Sequence, residues 1–140
     1  MYVGLHTIKY MIRIERLIMG EPGTISSKIW GTTSTIFAKN NVEIARIVGK
    51  AGGKSSTHKH KSKISQFYVE RGSIAVVVEK LDYNLTDRTI LTANQSTIIK
   101  PEEYHYFEIL EDDTVCYEFY WVQIDPEDIV RRDCGSYKSS

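Results

Sequence analysis

The stretch GGKSSTHKHKSKISQFYVERG, running from Gly52 to Gly72, sets His58 and His60 one residue apart between a glycine-rich approach and an alternating apolar run. After the histidines, Phe67, Val69 and Arg71 alternate with Tyr68 and Glu70, and Arg71-Gly72 reads as a tight turn. On an extended chain, side chains two apart point the same way. Taken as part of a strand, His58 and His60 project side by side, and both imidazoles can reach one ion at about 2.0–2.2 Å. A second stretch, NQSTIIKPEEYHYFEIL from Asn94 to Leu110, supplies His105 near the start of another strand, after a polar loop. The two stretches read as halves of one metal-binding pocket. His6 stands apart from them, near the N-terminus.

Outward from this pair the chain has the texture of short strands with turns between them. Alternation marks Thr33 to Ala38, Val42 to Val48 and Phe67 to Arg71, Ser73 to Leu81 is strongly β-forming, and Arg88 to Leu91, Ser96 to Ile99, His105 to Leu110 and Val115 to Gln123 read as further strands. About eight closely spaced strands with no room for helical crossovers exclude a parallel sheet and predict a double-sheet β-barrel, a jelly roll. Asp125-Pro126-Glu127-Asp128 has the signature of a helix start and predicts one short C-terminal helix. Residues 1–27 read as an N-terminal extension ended by the Gly20 to Thr24 breaker, 28–135 as the barrel domain, and 136–140 as a disordered tail. Met19 reads as an alternative translation start, which would leave the first 18 residues outside the packed domain.

Composition narrows the function. At 140 residues, 41% hydrophobic and 26% charged, the chain is sized for one globular domain. Lys+Arg and Asp+Glu stand at 18 each, so no net basic field argues for nucleic acid. The local cluster of Lys54, Lys59, Lys61 and Lys63 reads either as a solvated loop face or as a contact for an anionic substrate. Cys116 and Cys134 form no paired motif, which predicts a reduced, cytoplasmic protein without a disulfide framework. No apolar run reaches the roughly 20 residues of a membrane-spanning helix.

The histidine stretches resemble the two motifs of the cupin superfamily. The first, G(X)5HXH(X)3–4E(X)6G, is matched by Gly52, His58, His60 and Gly72, with Ser65 at the glutamate position. The second, G(X)5PXG(X)2H(X)3N, aligns with Asn94, Lys100, Glu102, His105 and Ile109, so that only the histidine survives. A narrower resemblance is to the cupin domain of type II mannose-6-phosphate isomerases. It rests on Lys28-Ile29-Trp30-Gly31, Arg46-Ile47, Asn94 to Thr97, Val122-Gln123 and Asp128-Ile129-Val130-Arg131. The resemblance implies an all-β cupin barrel, a homodimer, and a place in polysaccharide precursor metabolism.

Residues and resemblance converge on a divalent ion, Zn, Mn, Fe or Ni, held by neutral imidazoles of His58, His60 and His105. Ser65 and Gln66 are the candidates for an additional ligand, although alternation sets Gln66 on the opposite face. Arg46, sharing a face with Val42 and Ile44, is a candidate phosphate clamp. Lys54, Trp30 and Phe107 are further substrate-binding candidates, and Trp30, Phe107, Phe67, Tyr120 and Trp121 are candidates for a sugar-stacking wall. No general base is identified: Glu102, Glu103, Glu108 and Glu118 read as surface carboxylates. The leading expectation is a sugar-phosphate or nucleotide-sugar enzyme of the isomerase kind. The alternatives are a non-catalytic sugar- or metal-binding cupin and, third, a metal-dependent dioxygenase.

Overall fold

The apolar alternation resolves into nine strands in the computed structural model, which describes residues 23–122, 130–132 and 134–136. They are β1 (Ile25–Lys28), β2 (Gly31–Lys39), β3 (Val42–Gly49), β4 (Ile64–Arg71), β5 (Ser73–Lys80), β6 (Leu85–Thr92), β7 (Ser96–Ile99), β8 (His105–Ile109) and β9 (Thr114–Trp121). All pair antiparallel. One sheet has six strands in the order β1-β2-β3-β9-β4-β7, and the other has three in the order β6-β5-β8. This is the jelly roll expected from the strand pattern, with one strand more. β1, with the sequence ISSK, is polar and exposed, and no alternation marks it. It exists because its backbone pairs with β2 across a two-residue connection.

The core fills the space between the sheets. Ile47, Phe67, Val69 and Cys116 come from the large sheet, and Ile74, Val76, Phe107 and Ile109 from the small one. β3 and β4 bury alternate residues, Ala45 and Ile47 on the one and Ser65, Phe67 and Val69 on the other, because a pleated strand turns successive side chains to opposite faces. Among the described residues, no helix is long and apolar enough to cross a membrane. Cys116 is a buried free thiol and Cys134 an exposed one. The helix expected at Asp125 to Asp128 lies outside the described residues, as do 1–22 and 137–140.

Two close backbone approaches hold this frame. Gly72 alone connects β4 in the large sheet to β5 in the small one, with φ of +85°. A Cβ there would sit 2.2 Å from Thr114 Oγ1 and 2.8 Å from its Cα, so the corner has no room for a side chain. Gly53 passes under Trp30, where a Cβ would lie 2.6 Å from the Trp30 Cβ and 2.9 Å from its Cα. That packing couples the glycine approach of the first histidine stretch to Lys28-Ile29-Trp30-Gly31. Replacing Gly72 with alanine should cost about 2–4 kcal/mol, combining a left-handed backbone penalty with overpacking. Urea denaturation of Gly72→Ala should show a lowered midpoint at unchanged slope; an unchanged midpoint would contradict the packing of this corner.

Candidate metal centre and its cavity

The segment between β3 and β4 carries His58 and His60, and it docks along the free edge of β8. Gly52 N–H donates to the Ile109 carbonyl at 3.0 Å, Ile109 N–H to the Gly53 carbonyl at 2.8 Å, and Ser55 N–H to the Phe107 carbonyl at 3.0 Å. His58 and His105 exchange backbone hydrogen bonds, at 3.0 and 2.8 Å. The segment therefore acts as an irregular fourth strand of the small sheet. His58 and His60 do not lie in a regular strand, as their spacing suggested. They sit on an extended loop that touches β8 through isolated bridges, Lys54 with Glu108 and His58 with His105. The interrupted ladder still brings the side chains together.

One ligand atom from each of His58, His60 and His105 lies within 4.8 Å of the others. Ring centroids are 5.1 Å apart for His58 and His60, 4.7 Å for His58 and His105, and 5.6 Å for His60 and His105. His105 is buried, and its Nδ1–H donates to the Glu103 carbonyl at 2.9 Å. That bond fixes the tautomer and leaves Nε2 with a lone pair. His58 Nδ1 is held by the Ser56 carbonyl at 3.1 Å, which leaves its Nε2 available in the same way. Nε2 of His60 and Nε2 of His105 are buried with no hydrogen-bond partner.

Buried polar atoms are nearly always paired, and each unpaired one costs about 1–3 kcal/mol. Two orphaned imidazole nitrogens converging with a third make a donor set that fits a divalent ion. The charge state fits as well. Burial, reinforced by the neighbouring His58, His105 and Lys63, pushes His60 down to about 4, and burial lowers His105. Both rings are neutral at pH 7, the form that ligates a metal.

His58 also forms part of the wall of a cavity of about 450 Å³. Trp30, Phe107, Glu43, Ala45, Ile47, Lys28, Lys54, Glu118 and Tyr120 line it as well. Trp30 and Phe107 pack edge to face at 4.9 Å, so each serves both core and cavity wall. Lys54 borders the cavity, but its ammonium stacks on the Tyr106 ring at 4.1 Å. Of the other lysines in that cluster, Lys59 pairs with Glu102 at 3.0 Å, and Lys63 lies over the Tyr120 ring at 5.1 Å.

Three expectations are corrected here. Arg46 faces away from the cavity. On β3 the inward positions are Glu43, Ala45 and Ile47, and Arg46 instead sits opposite Tyr117 on the outer face, where its guanidinium meets the Tyr117 hydroxyl. Gln66 likewise lies on the outer side of β4, because Ser65, Phe67 and Val69 take the buried positions and the strand's bulge falls beyond them, between Val69 and Arg71. Ser65 does point inward, 1% exposed, with its hydroxyl unpartnered.

The third correction concerns the carboxylates. Glu102 and Glu108 are surface residues paired with Lys59 and Arg88, but Glu103 and Glu118 are not surface residues. Glu103 is 2% exposed, accepts the Lys100 N–H at 3.1 Å and pairs with Lys80 at 3.6 Å, so it braces the loop whose carbonyl orients His105. Glu118 is 6% exposed and lines the cavity, with Oε2 unpartnered. The Tyr120 hydroxyl donates a hydrogen bond to its carboxyl group, and the Tyr120 ring lies 5.3 Å from that of His60. A signal for Glu118 was present in the sequence: it shares strand parity with Cys116, an apolar position of β9.

Two packed antiparallel sheets in this strand order form a jelly roll of the cupin fold. No protein-family model and no curated protein matches the sequence. Solved structures of this fold include KdgF from Halomonas sp., at 13% identity over 72% of this chain and 89% of that one, with a TM-score of 0.62. Bacillus subtilis oxalate decarboxylase, in a structure concerned with its Mn(II) centres, matches at 14% identity over 76% of this chain and 29% of that one, with a TM-score of 0.64. The capsular polysaccharide assembling protein CapF from Staphylococcus aureus matches at 15% identity over 78% and 31%, with a TM-score of 0.63. The chain thus spans less than a third of the last two proteins. At these identities the likeness is one of fold.

Burial pushes Glu118 up from 4.5 to about 7, against the opposing effect of the Tyr120 hydrogen bond. The folded protein therefore keeps a proton that the unfolded chain has already lost. The resulting stability is fully present below pH 4.5 and is lost as the pH rises through 7. The difference corresponds to on the order of 3 kcal/mol. Glu118→Gln, neutral at every pH, should leave the metal-free protein about as stable at pH 5 and make it more stable than wild type at pH 8. Parallel pH profiles for the two proteins in urea denaturation would contradict this placement of Glu118.

Proposed function

We propose that this chain is a metal-binding cupin that acts on a phosphorylated or nucleotide-linked sugar, most simply as an aldose–ketose isomerase of the mannose-6-phosphate kind. One observation carries the reading: the imidazoles of His58, His60 and His105 converge, two of them with buried, unpartnered nitrogens, beside a cavity that also holds aromatic, carboxyl and phenol groups. His58, His60 and His105 would hold the ion. When bound, a divalent cation polarises carbonyl and hydroxyl oxygens of a sugar, which lowers the barrier to moving a proton between adjacent carbons.

The other wall residues suit the same ligand. Trp30 and Phe107 offer apolar surface for a sugar ring, and Glu43, Glu118 and Tyr120 offer hydrogen-bond partners for its hydroxyls. Lys28 at the cavity border gives it positive charge for a phosphate, and Lys54, whose ammonium stacks on Tyr106, stands beside it. The fold shared with a capsular polysaccharide assembling protein favours a setting in polysaccharide precursor chemistry, and the fold shared with a protein having Mn(II) centres favours an ion of that class. A cytoplasmic homodimer is part of the same proposal.

A second reading has its own observation. Ser65 stands where the cupin motif places a glutamate, so the centre has no carboxylate among its three clustered ligands. A cupin that binds a sugar or a metal without turnover would tolerate that loss.

Elemental analysis of the purified protein, followed by titration with Zn(II), Mn(II), Fe(II) and Ni(II), should give one ion per chain. His60→Ala and His105→Ala should each weaken it about 100-fold or more. The metal-loaded protein should convert mannose-6-phosphate to fructose-6-phosphate. Metal uptake without turnover of this substrate would remove the isomerase and leave the binding module. Iron as the resident ion, with consumption of oxygen, would favour a dioxygenase. Failure to take up any of the four ions would overturn the metal-binding reading itself.

A further inference from the structure

Glu118 is a carboxyl group buried in a cavity wall that it shares with a candidate metal ligand, and the structure around it does not explain why it is there. Its β-ladder neighbours are Ala45 on β3 and Phe67 on β4, both apolar. Among the described residues no cation pairs with it, Oε2 has no hydrogen-bond partner, and the Tyr120 hydroxyl is its hydrogen-bonding neighbour. A structural carboxylate in this position would carry a salt bridge, as Glu103 does with Lys80. An ionised carboxyl without one is costly to bury. The same wall contains His58, and the Tyr120 ring links the carboxyl to His60.

We infer that Glu118 is the proton-exchanging carboxyl of this centre, neutral while the three imidazoles hold no cation and ionised once a divalent cation sits on them. The inference rests on the metal-binding reading above and deepens it. With a divalent cation held by His58, His60 and His105, the O–H bond of the Glu118 carboxyl would break and its proton would pass to the buffer, with no change in oxidation state. The carboxylate so formed, at the wall of a cavity sized for a small ligand, then has a lone pair with which to take a proton from that ligand and later return it.

The groups facing it work in both directions. Glu43 from β3 favours the neutral acid, and Lys63, just before β4, favours the carboxylate. Lys28, Lys54 and His58 line the same cavity. On its own strand, Tyr120 donates to the carboxyl, and Cys116, pushed up to about 12 by burial, keeps its proton. A burial near neutrality supports the geometry, since desolvation holds the acid close to the midpoint of its exchange.

Proton release on metal binding tests this without any substrate. Zn(II) is titrated into the metal-free protein at pH 6 by calorimetry in two buffers of different ionisation enthalpy, for wild type and Glu118→Gln. Wild type should release about one proton more per bound Zn(II) than the variant, with both taking up one ion. Equal release by the two proteins overturns the proposal while leaving the metal reading intact. Loss of Zn(II) binding by a folded Glu118→Gln also overturns it, because Glu118 would then be a ligand. If the variant does not fold, infrared spectroscopy of wild type decides. A protonated-carboxyl stretch present at pH 6 should disappear on Zn(II) addition, and its persistence or prior absence overturns the proposal. Wild type that takes up no Zn(II) overturns both readings.

Discussion

The centre depends on one reciprocal contact, the pair of backbone hydrogen bonds between His58 and His105. At 3.0 and 2.8 Å they bind a loop leaving β3 to the first residue of β8, so two segments far apart in sequence present imidazoles to one point. The loop can lie there because its approach is glycine. Gly53 slides beneath Trp30 with no space for a Cβ, and Gly52 and Ser55 complete the backbone pairing to β8. The ladder is interrupted between its bridges, and the loop still sets His58, His60 and His105 as close neighbours around a point between them.

Desolvation then acts on everything the contact encloses, and it acts with opposite signs. It depresses His60 and His105, whose charged form is a cation, and raises Glu118, whose charged form is an anion. Each group is driven to its neutral state. Neutral His60 and His105 can be buried without a counterion, but their Nε2 atoms stay unpaired, and an unpaired, neutral imidazole nitrogen is a metal donor.

Much of this was legible in the sequence, and the exceptions share a cause. The strands β3, β5 and β8 carry enough β-branched and aromatic alternation to be read directly, and the histidine spacing pointed to the cluster. β1 was not legible because its four residues are exposed and are strand only by virtue of pairing with β2. Alternation alone misplaces Arg46, for a physical reason. The side of β3 carrying Val42 and Ile44 looks like the core side, yet the cavity side carries Glu43. By the same logic polarity alone assigns Glu118 to the surface. A strand that lines a polar cavity must present polar residues inward, so the usual inference from polarity to face reverses there. The reversal is itself a mark of the site.

Ser65 shows how the loss of a motif residue can be accommodated by the row it belongs to. Across the large sheet, Glu43, Tyr120, Ser65 and Ile99 stand side by side on the inner face. A glutamate at 65 would press a carboxylate against the Tyr120 ring and add a negative charge near Glu43, in a setting where desolvation already raises both Glu43 and Glu118. Serine leaves room for Tyr120, whose ring packs against His60 and whose hydroxyl holds Glu118. The carboxyl group of this centre thus stands one strand over from the motif position and one row along. It lies across the shared cavity wall from His58 instead of among the three clustered imidazoles. That placement gives the carboxyl a phenol partner, the Tyr120 hydroxyl, whose ring in turn faces His60.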